Sequence, residues 1–283
     1  MIIEGPKGVE NRRILLFSFV ATAVLSLVPI SSQATVDWNE GFEYADATAL
    51  YDAWGASCPP SSANPTVSTD RAYSGSKSLK LTYHGIVGVD PGAGGCWMDR
   101  SLNGLSDTLY ERFMIYIVGG FRTVGGVGTK LIFSGQNGAY PSFWWDIQGA
   151  GLPINLTIQG IILDNGTQDS HVVWGSDIPK DQWVCIETRL TMSSPGVDNG
   201  IVQSWINGNQ VINSSTQRMR AATLNQLNSP TAQFQFVRHY TQHGSIGGII
   251  YYDDHAVSRD ERIGCGTRDT AGPANHATGF GVN

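Results

Sequence analysis

The sequence is short of charge, cysteine and helical periodicity, and each shortage narrows what the chain can be. Charged residues make up 15% of its 283 residues, and 18 Lys+Arg stand against 24 Asp+Glu for a net charge of −6. An acidic surface of this kind argues against general binding to nucleic acid or to anionic membranes, although a local basic cleft is compatible with it. Only four cysteines occur, Cys58, Cys96, Cys185 and Cys265. None lies in a C-x-x-C spacing, which argues against a zinc site. No internal repeat is visible, and past residue 34 no apolar run is long enough to cross a bilayer.

One such run does occur at the start. Residues 12–30 read RRILLFSFVATAVLSLVPI, and SSQA follows with small residues at Ser32 and Ala34. Basic residues, an apolar stretch and a small-residue exit are the parts of a secretory signal. The expectation is cleavage after Ala34, with export to the extracellular space or periplasm. An exported chain with an even number of cysteines favours two disulfides. Three pairings are possible, and the strand layout suggests Cys58–Cys96 and Cys185–Cys265.

Alternation dominates the rest. In LYERFMIYIV, Phe113, Ile115 and Ile117 fall on one face and Tyr110, Arg112, Met114 and Tyr116 on the other. SLKLTYH, TKLIFSG, PSFWWDIQG, INLTIQG, QWVCIETRLTM, GIVQSWING, AQFQFVRHY and GGIIYYDDHAVS are further period-2 runs between Gly, Pro and Asn clusters. Such runs are half-buried antiparallel strands, and VDNG and INGN are hairpin turns. One helix is expected in ADATALYDAWG, capped by Asp46 or Thr48 and stopped by Gly55. The reading is all-β: a two-sheet antiparallel sandwich of the jelly-roll kind over residues 35–265, followed by a disordered tail over 266–283.

Several segments carry a resemblance. They are GFE (41–43), RAYSGSKSLKL (71–81), YERFMIYI, DQWVCIETRLTMSSPGVDNGIVQSWINGNQV (181–211) and IIYYDDHAVSRDERIGC. In this order they resemble secreted polysaccharide-lyase-like proteins with a concanavalin A-like jelly roll, the group that contains glucuronan and alginate lyases. The resemblance spans roughly residues 38–265 and marks the fold better than the activity. The R-x-E-L-R, Q-I-H and Y-F-K-A-G-x-Y-N-Q strands of alginate lyases have no intact counterpart here. The resemblance also implies a structural calcium ion, held by Glu43, Ser74, the carbonyl of Lys77 and Asp254, with Asp70 or Asp253 as substitutes. A hard cation wants such an all-oxygen set.

The implied activity is β-elimination on a uronic-acid polysaccharide, by a monomer that binds neither nucleic acid nor, once mature, membrane. Such a reaction needs donors that neutralise the sugar carboxylate, a base for the C5 proton and an acid for the leaving oxygen. The sequence offers His239 as base, Tyr240 as acid, Arg112 and Gln148 to hold the carboxylate, and Lys130 to assist. His243 and His84 are reserves. Tyr110, Trp144, Gln159, Glu187, Arg238 and His243 are the expected sugar contacts. The strand FQFVRHY presents either Arg238 and Tyr240 or His239 to the cleft, depending on register. Each residue also has an ordinary reading: His239 as a surface or hydrogen-bonded histidine, Arg112 as the cross-strand partner of Glu187, Tyr240 as packing. Two other functions compete. A carbohydrate-binding protein would use the eight tryptophans and ten tyrosines as stacking faces. A glycoside hydrolase would need paired carboxylates, for which Asp146 and Glu187 are the nearest candidates.

Overall fold

The computed structural model describes residues 35–55, 65–83, 96–121, 129–136, 143–148, 155–159, 161–162, 168–169, 173–223, 229–241 and 247–266. The signal segment, Cys58, His84, His243 and the tail beyond Gly266 lie outside the described residues, as does the side chain of Cys96.

The chain order begins with β1 (Trp38–Glu40), α1 (Ala47–Trp54), β2 (Thr66–Ser68), β3 (Ser78–Tyr83), β4 (Cys96–Ser106), β5 (Thr108–Ile117), β6 (Thr129–Gln136), β7 (Phe143–Gln148) and β8 (Asn155–Gln159). It continues with β9 (Ile161–Ile162), β10 (Gln168–Asp169), β11 (Val173–Asp177), β12 (Trp183–Thr191), β13 (Gly200–Ile206), β14 (Asn209–Gln217), β15 (Phe234–Thr241) and β16 (Gly248–Ser258). Two antiparallel sheets carry the fold. The eight-stranded one runs β14-β13-β12-β5-β16-β3-β2, with β1 also paired to β16; the six-stranded one runs β11-β8-β7-β6-β15-β4. β9 and β10 form a separate small pair.

The alternation read from the sequence sets the layers. On β5, Leu109, Phe113, Ile115 and Ile117 are buried in the core, and Val184, Ile186 and Leu190 of β12 join them. The six-stranded sheet supplies Met98, Leu131, Ile132, Phe234 and Val237 to the same core. The expected helix forms with Asp46 as its cap: its carboxylate accepts the N–H of Ala49 at 2.9 Å. Gly55 ends it at φ 61°. Trp54 from its last turn stacks on Phe42 and meets the edges of Trp38 and His239. The INGN turn joins β13 to β14 with Asn207 and Gly208 both at positive φ (49° and 81°), the backbone that a two-residue hairpin of matching twist requires.

Cys185 and Cys265 are joined, as the strand layout suggested. The bridge fastens the segment after β16 to the outer face of the eight-stranded sheet. There Glu187, fully buried, accepts from Arg262 Nε at 2.5 Å and from the Gly264 N–H at 2.7 Å.

Gly248 opens β16 at φ 135°, where an added Cβ would lie 2.6 Å from Phe121 Cα. Both the backbone angle and the clash oppose a side chain. Gly248→Ala is expected to destabilise the fold by about 2 kcal/mol or more. A urea midpoint unchanged from wild type would contradict this packing.

Candidate functional site

The candidate residues divide between two sheets. Tyr110, Arg112 and Glu187 sit on β5 and β12 of the eight-stranded sheet. Lys130, Trp144, Gln148, Gln159, Arg238 and Tyr240 sit on β6, β7, β8 and β15 of the six-stranded sheet. One cleft therefore cannot use both groups. Arg112 is opposite Glu187 in register, but Glu187 is taken by Arg262. Among the described residues Arg112 donates to the Asp254 carbonyl alone, at 3.5 Å. The expected carboxylate-holding role of Arg112 and the sugar-contact roles of Tyr110 and Glu187 are thus corrected: these side chains belong to the other face of the sandwich. The hydrolase pair fails for the same reason, since Asp146 and Glu187 are on different sheets and Glu187 is covered.

His239 needs a second correction. Register turns it into the core, where it is 1% exposed. Its Nε2 lies 3.0 Å from His255 Nδ1, His255 Nε2 lies 2.7 Å from Glu111 Oε1, and Ser134 Oγ donates to Glu111 Oε2 at 3.3 Å. Ser134 and His239 come from the six-stranded sheet, Glu111 and His255 from the eight-stranded one, so this chain of hydrogen bonds crosses the sandwich. Rings of Trp54, Phe42 and Tyr252 enclose His239. A base in this position cannot touch a polymer.

Burial sets the charge state of the chain. Loss of hydration pushes the Glu111 carboxyl up to about 8, and the same loss, with the Arg112 charge, pulls His255 down to about 3. His239 is lowered well below its ordinary value by burial and then by His255. The close Glu111–His255 contact is therefore a neutral hydrogen bond near pH 6, not an ion pair. With the Glu111 O–H donating to His255 Nε2, His255 Nδ1–H donates to His239 Nε2, and the remaining proton sits on His239 Nδ1. That nitrogen has no partner among the described residues.

The outward side of the same strand is different. Arg238 is half-buried and grips Asp99 through both carboxylate oxygens, Nη2 at 2.8 Å from Oδ2. Its guanidinium lies 5.1 Å from the Trp97 ring centre. In register, Asp99, Arg238, Phe133, Trp144 and Gln159 form one row across five strands. A second row holds Lys130, Asp146, Thr157 and Trp174. Gln148 pairs with Asn155, and Tyr240 with Trp97. The side chains of Lys130, Trp144, Gln148, Gln159 and Tyr240 lie outside the described part, so these residues are placed by backbone register alone.

The expected metal residues converge on one loop. Glu43 accepts from the N–H groups of Ser76 and Lys77 at 2.8 and 2.9 Å and from Ser76 Oγ at 2.8 Å. Ser74 Oγ donates to Asp254 Oδ1 at 2.5 Å. Asp253 accepts the N–H groups of Tyr73 and Ser74 with one oxygen and that of Asp254 with the other. Burial, with the neighbouring Asp254 charge, pushes Asp253 up to about 7. Asp253 thus shapes the loop. Oxygens of Glu43, Ser74 and Asp254 are likewise engaged in holding the loop, and no group of three or more His, Cys, Asp or Glu side chains suited to a metal ion occurs among the described residues.

The pH behaviour of Glu111 gives a test. Its folded value, about 8, lies above the ordinary 4.5. The stability it contributes as a neutral acid is complete below pH 4.5 and is lost as pH rises through about 8. Glu111→Gln cannot ionise, so its stability relative to wild type is expected to improve steadily from pH 5 to pH 8.5. A pH-independent difference in denaturation midpoints would show that Glu111 is charged throughout.

No known protein family matches the chain, and no curated protein does. Solved structures do match. A marine PL-14 alginate lyase from Aplysia kurodai is 17% identical with a TM-score of 0.58, covering 80% of this chain and 100% of the lyase. An endo-β-1,4-glucuronan lyase from the fungus Trichoderma reesei is 13% identical (TM-score 0.51; 80% and 93%). The cellulose-induced protein Cip1 is 15% identical (TM-score 0.53; 81% and 100%). The chain has the two-sheet β-sandwich fold of these structures.

Proposed function

We propose that the chain is a secreted polysaccharide lyase that cleaves a uronic-acid polymer on the outward face of the six-stranded sheet. The observation that carries this reading is the row Asp99–Arg238–Phe133–Trp144–Gln159, with Lys130 and Tyr240 on the same strands. Aromatic, amide and cationic residues at adjacent positions suit a chain of charged sugars. The lyase folds it resembles support the reaction class. Gln148 and Lys130 neutralise the sugar carboxylate, which makes the C5 proton acidic. With His239 inside the core, Tyr240 serves as the proton-transfer group. Entering as the phenolate, it takes the C5 proton. The bond to the leaving oxygen breaks as the ring double bond forms, and the phenol returns the proton to that oxygen. Trp144, Gln159 and Arg238 position the sugar.

Incubation with glucuronan, alginate, pectate and neutral glucans tests this. One polyuronate is expected to yield an unsaturated, ultraviolet-absorbing product. Tyr240→Phe is expected to cut that rate by at least about 100-fold, the usual worth of a positioned proton donor. His239→Ala is expected to lower stability more than turnover at temperatures where it remains folded. No product on any polymer, with polymer still bound, would favour the second reading. In it the Trp97–Arg238–Asp99 cluster, its charge already neutralised, is a carbohydrate-binding surface without catalysis.

The same reading includes a structural calcium ion held by Glu43, Ser74, the Lys77 carbonyl and Asp254. When bound, it would cross-link the chain near β1, the loop before β3 and strand β16. Chelation is expected to lower the melting temperature by several degrees, with recovery on adding calcium, and Asp254→Ala is expected to abolish that response. A melting temperature indifferent to chelator would remove calcium from the account.

A further inference from the structure

The outer face of the eight-stranded sheet carries an aromatic ladder that the reaction does not use. Trp183, Tyr116, Tyr251 and Lys80 are consecutive partners across β12, β5, β16 and β3. Tyr73, from the loop before β3, meets Trp183 edge-on at 5.9 Å; Trp183 meets Tyr116 at 5.6 Å, and Tyr116 meets Tyr251 at 6.2 Å. Tyr116 and Tyr251 form the buried floor, whereas Trp183 and Tyr73 are half-exposed. Two cations rest on that floor. Lys80 lies 5.7 Å from the Tyr251 ring centre and is paired with Asp70 at 2.6 Å. Arg71 lies 4.3 Å from the Tyr116 ring centre, is exposed, and meets no carboxylate among the described residues. The loop that carries Arg71 and Tyr73 is fixed by Asp253, which takes the Tyr73 N–H at 2.7 Å.

Arg71 is thus an exposed arginine that no carboxylate engages among the described residues, Asp70 next to it being paired with Lys80, on a chain of net charge −6. A guanidinium held against a ring has lost much of its freedom in advance and keeps its N–H edge available, so it pays less to receive a planar anion. Beside it stand an indole and a phenol, both half-exposed, of the kind that pack against the apolar faces of sugar rings. Carboxylate and pyranose face occur together in a polyuronate. We infer that Arg71, Tyr73 and Trp183 form a second, non-catalytic binding site for an anionic polysaccharide, on the sheet opposite the proposed cleavage face. The inference rests on the polyuronate reading above. A second site would hold the polymer by multivalency while another stretch is cleaved.

Native gels cast with glucuronan, alginate or neutral glucan provide the test, using Arg71→Glu, Trp183→Ala and the double variant. Wild type is expected to be retarded by a polyuronate and not by the glucan. Each variant is expected to weaken that retardation by about threefold to tenfold, the size of a lost charge-assisted contact. Turnover of short oligouronates is expected to stay unchanged. Arg71 is exposed, so Arg71→Glu alone decides the matter if Trp183→Ala does not fold. Retardation of Arg71→Glu equal to wild type, but lost in Arg238→Ala, would overturn the second site and leave the cleavage face intact. A wild type that no polyuronate retards would overturn the second site, whereas retardation that depends on Arg71 without turnover of any polyuronate would leave the second site standing and overturn the cleavage reading.

Discussion

A chain of buried hydrogen bonds, Ser134–Glu111–His255–His239, runs from one sheet to the other, and both outer faces take their composition from it. Three ionisable side chains inside an apolar core are tolerated only where each finds a partner. That requirement adds to apolar packing in fixing the parity of β5, β15 and β16. A slip of one residue on β15 would carry His239 to solvent, bring Arg238 into the core and leave His255 with Glu111 alone. With His239 inside, Arg238 must be outside, against Asp99 and Trp97. With Glu111 inside, Tyr110, Arg112 and Tyr116 must be outside on the other sheet. The polar core thus lies between the face proposed for cleavage and the face proposed for holding.

The ends of the fold are tied by the same logic. Glu43 follows β1, Asp253 and Asp254 lie in β16, and all three carboxylates close on residues 73–77. That loop contributes Tyr73 and, with Arg71 just before it, the exposed part of the aromatic ladder. On the opposite flank, the Cys185–Cys265 bridge and the Arg262–Glu187 pair hold the segment after β16 over the outer surface of the same sheet. Arg262 also lies over Trp205, 4.3 Å from its ring centre. Both devices buttress the eight-stranded sheet.

Much of the fold was legible in the sequence because period-2 patterning and turn chemistry are local properties. The helix between an Asp46 or Thr48 cap and the Gly55 stop, the INGN hairpin and the inward set Phe113, Ile115 and Ile117 all follow from neighbours a few residues away. The candidate site was less legible because it depends on which strands share a sheet. Arg112 and Gln148 look equivalent as polar residues on alternating strands, yet they fall on different sheets. Glu111 was readable and missed: it shares the parity of Phe113, Ile115 and Ile117, which marks it as a buried acid. His255 gave no comparable sign, since Asp253 and Asp254 precede it, Ala256 and Val257 follow it, and the register shifts between Asp253 and Ala256. The choice between His239 and Arg238 was left open by the strand itself, and only the partners across the core decide it.

The division of labour between the faces is tested most directly by a crystal structure of the Tyr240→Phe protein with a bound oligouronate. The expected result is sugar density along the row through Arg238, Trp144 and Gln159, with a carboxylate near Gln148 and Lys130. Sugar bound solely on the eight-stranded sheet, with the six-stranded face empty at saturating ligand, would contradict the account.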